Sequence, residues 1–387
     1  MRQYFFGELL PHVDPMLAEQ ATPLEAAFER WIPIARQVVR RTLNLRWSDV
    51  FEIYTYILTI PLAEALALEA RRAGSDTHLT LMTDDLWFMS MRELPTRWLR
   101  AASPAETAIN KAITASVYLG GPADARRFRD IPPEKFEANA MGNDRQDEPL
   151  HRRRVRQVDL SIGRVTPGRA EAYGLDYARW RRSYEAALGV DLRDIRRVGT
   201  RVSRAVSGRK EIRIESDAGT ALTFRTKAVP PIVDDGVISP ADVRRGSIET
   251  ALPAGSMRAA ADPSSAEGEV HFADPVFLFG RTVRGLRMTF RKGKLLAWGA
   301  DENVDIAGRA LKDLRGGRDR LTWFTIGLNP AAEPCMLDNT IVQNDVGIGL
   351  GVHPEFERGR ATAGPQFHAT IGPSRITVDG SRVSVPR

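Results

Sequence analysis

The hydrophobic period of this chain changes once, near residue 205, and that change limits the folds open to it. Before it, helical spacing alternates with short buried runs. Thr22-Pro23-Leu24-Glu25 supplies a cap, a first-turn proline and an early acid, and apolar residues then recur at helical spacing to about Leu45. Asp49 to Tyr56 reads as a strand, Pro61 opens a helix that ends at Gly74, and 78–82 reads as the next strand. A helix over 105–111 leads to a buried-strand run at 115–119 that stops at Gly120-Gly121, and 158–162 supplies another strand. Strand, helix, strand at this spacing predicts βαβ units and a mainly parallel sheet. Residues 168–207 are expected to form two helices, with Tyr173, Tyr177, Trp180 and Tyr184 on one core-facing stripe of the first.

After about 205 the period falls to two. Glu211-Ile212-Arg213-Ile214-Glu215-Ser216 meets Ala221-Leu222-Thr223-Phe224 across Asp217-Ala218-Gly219-Thr220, a hairpin with turn residues in place. Further short strands are expected at 270–272, 286–291, 295–298, 347–351 and 375–378. The reading is an α/β N-terminal domain with a mainly parallel sheet, residues 1–205, followed by a β-rich α+β C-terminal domain, residues 206–387.

Composition removes several classes of function. The 387 residues suffice for two cored domains, and no apolar run reaches the roughly 18 residues a membrane span needs. The first ten residues hold an apolar patch with an acid and no small-residue cleavage site, so they do not read as a signal peptide. One cysteine, Cys335, makes no internal disulfide and fits a reducing cytoplasm. The net charge of +6 is mostly arginine with acids interleaved. The densest run, His151-Arg152-Arg153-Arg154, reads as a solvated helix end, and no aromatic-interleaved basic motif of the RNA-binding kind is present. Nucleic acid and membrane are therefore not expected partners. A surface that docks an acidic peptide stays open.

A series of phrases carries a family resemblance: Pro61-Leu62-Ala63-Glu64-Ala65-Leu66; Tyr177 followed by Val190-Asp191-Leu192; Ile214-Glu215-Ser216-Asp217-Ala218-Gly219-Thr220; Leu252-Pro253-Ala254-Gly255; Ala266-Glu267-Gly268-Glu269-Val270; Gly327-Leu328-Asn329-Pro330; Gly349-Leu350-Gly351; and Val378-Asp379-Gly380. In order and spacing they resemble the thermophilic metallo-aminopeptidases of the aminopeptidase T type, from about residue 30 to the end. The resemblance implies an aminopeptidase T-like fold and a homodimer. It also implies a two-metal site that activates a water for attack on the first peptide bond.

Carried onto this sequence, the family's ligand positions fall on Ser256, on Trp323 or Phe324, on Gly347, on His368 and on Thr370. Only His368 keeps a ligating side chain. Zinc takes three or four protein ligands, so no metal and no other cofactor is expected here. The six histidines are dispersed. His353 with Glu355 lies beside the former site, and Glu249, Glu267, Glu269 and Glu333 are the acids that could stand near the cleft. A rebuilt site of His353, His368 and one acid would serve a metallo-aminopeptidase or a ring-cleaving dioxygenase, which is the alternative function. Cys335 with either histidine is a thinner alternative. Gly316-Gly317 and Gly347-x-Gly349-x-Gly351 lack the lysine and helix start of a phosphate loop; the second run reads as a strand closely approached by backbone or ligand.

The expected pocket is lined by Ser256, Trp323, Phe324, Asn329, His353 and His368, aromatic groups with a few hydrogen-bonding ones. Trp323 and Phe324 either line it or fill the volume of the lost metals. The functional expectation is a metal-free, cytoplasmic peptide-binding protein. It would hold a peptide, such as a ribosomal precursor in natural-product biosynthesis, for modification or cyclisation by a partner enzyme, with His353 or His368 as a base if chemistry remains. A scaffold with an empty cleft is the third reading.

Overall fold

The computed structural model describes residues 24–312, 314, 318–351, 353, 356, 366–383 and 385. The N-terminal reading, Thr22-Pro23, Gly316-Gly317 and Glu355 lie outside them. In chain order the strands are β1 (Val50–Tyr56), β2 (Asp76–Met82), β3 (Ala115–Tyr118), β4 (Arg156–Asp159), β5 (Glu211–Glu215), β6 (Ala221–Arg225), β7 (Ile232–Asp234), β8 (Glu249–Ala251), β9 (Ser256–Ala260) and β10 (Glu267–His271). They continue as β11 (Val276–Leu278), β12 (Arg281–Val283), β13 (Arg287–Arg291), β14 (Lys294–Gly299), β15 (Leu321–Gly327), β16 (Asp345–Leu350), β17 (Phe367–Pro373), β18 (Arg375–Val378) and β19 (Ser381–Val383).

The first sheet has the order β2-β1-β3-β4-β8, and every pairing in it is parallel. Phe51, Ile53, Ala115, Val117 and Val158 bury one face against the helix Ile60–Arg72 and the helix Leu24–Gln37. Pro61 sits in the first turn of the former, where its missing N–H costs no hydrogen bond, and Gly74 follows the helix end at φ +84°. The fifth strand, β8, comes from beyond residue 205, and Ile238, Leu252 and Ala254 join the same core. The expected boundary therefore does not separate the strands cleanly, because residues 249–251 cross back.

Residues 168–207 hold three helices, not two: Pro167–Tyr173, Tyr177–Leu188 and Leu192–Val206. Gly174, at φ +69°, ends the first, so the tyrosine stripe spans a break. Its members still pack inward: Trp180, Tyr177 and Tyr184 meet Ala332 and Met336, and Tyr173 meets Phe277 at 5.1 Å between ring centroids. The run at 158–162 also splits, into β4 and a tight turn at Ser161–Arg164. His151, Arg152 and Arg153 form the last turn of the helix Pro133–Arg153, which Arg154 closes in left-handed geometry.

Among the described residues two large antiparallel sheets, β14-β13-β10-β6-β5-β18-β19 and β17-β16-β15-β9-β7, and a small β11-β12 pair make the C-terminal half. The two large sheets share one core. Ile212, Ile214, Leu222, Phe224 and Val270 come from the first, and Met257, Phe324, Ile326, Val346 and Ile348 from the second. Among the described residues no helix is long and apolar enough to cross a membrane.

Candidate functional site

The outer face of the β17-β16-β15-β9-β7 sheet carries the candidate site. Residues directly opposite each other in a sheet share a face, and alternate residues along a strand do too. Trp323 pairs with Ala260 and Gly349, Thr325 with Arg258 and Gly347, and Gly327 with Ser256. On the next strand Gly349 pairs with His368 and Gly347 with Thr370. One face thus presents Ser256, Arg258, Trp323, Thr325, His368 and Thr370. Phe324 lies one residue along, on the other face. It is 0% exposed and packs edge-on against Phe224 at 5.1 Å. The expectation that Phe324 lines the pocket is corrected: it belongs to the core between the two sheets.

The aromatic arrangement depends on two glycines. A Cβ at Gly349 would stand 1.9 Å from Trp323 Cε2, and one at Gly347 would stand 2.4 Å from Thr325 Oγ1 and 2.6 Å from His368 Nε2. With no side chain at either position, the Trp323 indole lies flat across β16. It stacks on the His368 imidazole at 4.5 Å with 14° between planes and meets His353 edge-on at 4.7 Å. The close approach expected at the glycine run is therefore made by neighbouring side chains. Thr325 Oγ1 stands 3.3 Å from His368 Nε2, which limits how that ring turns.

Burial sets the charge state of both histidines. It pushes His353 down to about 4, helped by the Arg258 guanidinium and by His368. It lowers His368 as well, with exposed Asp338 opposing and Arg258 reinforcing the shift. Both imidazoles are neutral near pH 7, so each can offer an acceptor nitrogen. Trp323 is 5% exposed, and its indole Nε1–H meets no acceptor among the described residues. Arg258 went unread in the sequence, although it stands two residues after Ser256 on the same strand and so shares its face.

Asn329 is also corrected as a pocket residue. It is 0% exposed; its Nδ2 donates to Ala187 O at 3.1 Å and Ala254 O at 2.8 Å, and its Oδ1 accepts from Ala331 N at 3.0 Å. Its hydrogen bonds tie the first half to the second and leave little for a ligand. Ser256 is on the site face but buried. Of the four acids, Glu249 belongs to β8, Glu267 and Glu269 to β10 of the other antiparallel sheet, and Glu333 pairs with Arg179 at 2.8 Å. Cys335 packs beside the Trp180 cluster, where burial pushes its thiol up, the wrong direction for a nucleophile. Among the described residues no three His, Cys, Asp or Glu side chains group closely enough to hold a metal ion.

No protein-family model matches the chain, and no curated protein matches it in sequence. Solved structures do. Wild-type AmpT from Thermus thermophilus superposes with a TM-score of 0.67 at 18% identity, over 93% of this chain and 98% of that one. The 2,5-dihydroxypyridine dioxygenase from Pseudomonas putida KT2440 superposes with a TM-score of 0.57 at 10% identity, over 94% of this chain and 95% of that one. At these identities the likeness is one of fold: an α/β domain with a parallel sheet joined to a β-rich antiparallel region, as in aminopeptidase T.

Proposed function

We propose that this protein binds a peptide on the Trp323–His368 face without a metal, and holds it for modification or cyclisation by a partner enzyme. A ribosomally made precursor in a biosynthetic pathway is the proposed ligand, the cytoplasm the proposed compartment and a homodimer the proposed assembly. The observation that carries the reading is the buried Trp323 indole N–H, which meets no acceptor among the described residues and stands between two neutral imidazoles. An unmet buried donor costs about 1–3 kcal/mol, and a peptide carbonyl would satisfy it. The face also offers the acceptor nitrogens of His353 and His368. Among the described residues the strand that carries His368, β17, pairs with a strand on one side only, apart from a single bond that Ile371 O accepts from Ala273 N at 3.0 Å, and an extended peptide can add a strand to such an edge.

The donor set does not fit the metal pair that the resemblance implies. Two imidazoles, the hydroxyls of Ser256, Thr325 and Thr370, a guanidinium and one carboxylate, Asp345 four residues along β16 from Gly349, give a dication too few anionic ligands, and Arg258 repels it. The second reading, a metallo-aminopeptidase or ring-cleaving dioxygenase with a rearranged site, rests on the likeness in fold.

Two measurements separate these readings. Protein purified without chelator and soaked in zinc, manganese or iron should hold far less than one metal per chain by elemental mass spectrometry. Near-stoichiometric metal would favour the second reading. In a peptide-library screen, His353→Ala and His368→Ala should each weaken a selected peptide by about tenfold, or about 1.4 kcal/mol. Unchanged affinity in both variants would place the peptide elsewhere, and no selected peptide at all would favour an empty scaffold.

A further inference from the structure

The N-terminal half carries a feature that the site above does not use: a buried guanidinium at the reversal point of the parallel sheet that forms no ion pair among the described residues. From β1 the chain builds β2 on one side and β3, β4 and β8 on the other. Loops at the carboxyl ends of β1 and β3 therefore part in opposite directions, and open parallel sheets bind ligands in the crevice so formed. Tyr54 and Tyr56 of β1 share a face with Tyr118 of β3. Tyr118 stands 5.5 Å from Tyr54 and 6.3 Å from Tyr56 between ring centroids.

Two arginines close this crevice. Arg164 enters from the turn after β4, donates from Nε to Gly120 O at 3.1 Å and lies 5.4 Å from the Tyr118 ring centroid. Arg169, on the helix Pro167–Tyr173, donates from Nε and Nη2 to Pro122 O at 2.9 and 2.6 Å. The backbone of Gly121 lies between them. A Cβ there would stand 3.4 Å from both Arg164 Nε and Tyr118 Oη, and 3.5 Å from Arg169 Nη2.

The charge balance of this group is unusual. Arg169 is 7% exposed, lies 5.4 Å from the Phe128 ring centroid and forms no ion pair among the described residues, Asp84 acting on it only from a distance. Asp159, the carboxylate nearest Arg164, stands 3.9 Å off and is half exposed. The Asp84 carboxylate is turned to Ala123 N, which donates to it at 2.7 Å. Burial, followed by repulsion from Arg164, lowers Arg169 from its ordinary range. A buried, unpaired cation is costly, and an anion placed against it relieves that cost.

We propose that this crevice is a second binding site, for an oxyanion carried on a flat ring. Carboxylate and phosphate share the needed chemistry: both accept the forked donors of a guanidinium, and the attached ring lies against the tyrosines. The site is independent of the peptide reading.

Isothermal titration of the full chain with benzoate, phenyl phosphate, inorganic phosphate and benzyl alcohol tests it. At least one ring-bearing anion should bind at millimolar concentration or below, more tightly than inorganic phosphate, while neutral benzyl alcohol should not bind. Benzoate alone would name a carboxylate ligand and phenyl phosphate alone a phosphate. Arg164→Ala should weaken binding by about tenfold or more. Gly121→Val should block it by filling the crevice while both arginines remain. Arg169→Ala removes the anchor of the Pro122 loop, so its folding must be checked by circular dichroism, and the other two variants decide the question if it fails. No binding of either ring-bearing anion, or unchanged affinity in both Arg164→Ala and Gly121→Val, overturns the proposal. Inorganic phosphate binding as tightly as phenyl phosphate overturns the role given to the ring.

Discussion

Asp345→Asn is expected to stabilise the protein at pH 8 by about 1–3 kcal/mol and by clearly less at pH 5. Asp345 starts β16 on the site face, is 1% exposed, and neither of its carboxylate oxygens meets a donor among the described residues. Burial, with Asp274 adding repulsion, pushes its carboxyl up to about 7. Between the ordinary aspartate range and pH 7 the folded chain keeps a proton that the unfolded chain has lost. Stability therefore falls as pH rises through that window and stays reduced above it. A carboxyl titrating near 7 rather than near 4 costs the ionised folded state at most about 4 kcal/mol, and local relaxation reduces this. His353 acts in the opposite sense: its lowered pKa costs stability as pH falls below about 6.5. That contribution is common to wild type and variant, so the difference between their urea midpoints at the two pH values isolates Asp345. An equal gain at pH 5 and pH 8 would show that ionisation is not the cause.

Gly349→Ala is expected to destabilise the fold by about 1–3 kcal/mol, the usual cost of overpacking, and to dismantle the candidate site at the same time. A methyl group at this position lies inside the Trp323 ring, 1.9 Å from Cε2 and 2.3 Å from Nε1, so the indole must leave its seat over β16. His368 then loses its stacking partner and becomes more hydrated. Its pKa, lowered by burial in the wild type, should move back toward the ordinary histidine range. NMR titration of the His368 ring protons reads both effects, through the lost ring-current shift and the changed midpoint. Gly299→Ala is the control, because nothing lies within 4 Å of a Cβ there. Native ring shifts in Gly349→Ala would mean that the glycine does not seat the indole.

The sequence was most legible where the signal was local. The 211–224 hairpin, the strands beginning near residues 50, 78 and 115, and the helix opened by Pro61 emerge close to where their patterns placed them. Three of the four strands that build the site, β9, β15 and β17, were not read as strands. Leu321-Thr322-Trp323-Phe324-Thr325-Ile326-Gly327 shows why: it is apolar or small throughout, and its side chains are almost all buried. A strand covered on both faces carries no alternation to reveal which residues point where. Trp323 and Phe324 were equivalent on that pattern, and one faces the histidines while the other faces the core.

The sequence by itself determined the change of period near 205, the parallel first sheet, and the glycine pair at 347 and 349, because dihedral preference and hydrophobic period act over a few neighbouring residues. Tertiary structure decided the rest. Pairing of β15 with both β9 and β16 set the face on which Arg258, Trp323 and His368 meet. The return of β8 to the first sheet moved residues 249–251 across the expected boundary. The enclosure of Asp345 and Arg169 left, among the described residues, one a carboxylate without donors and the other a guanidinium without an ion pair. These are contacts between segments far apart in the chain. Their register is fixed by which faces pack against which, and no local pattern encodes that choice.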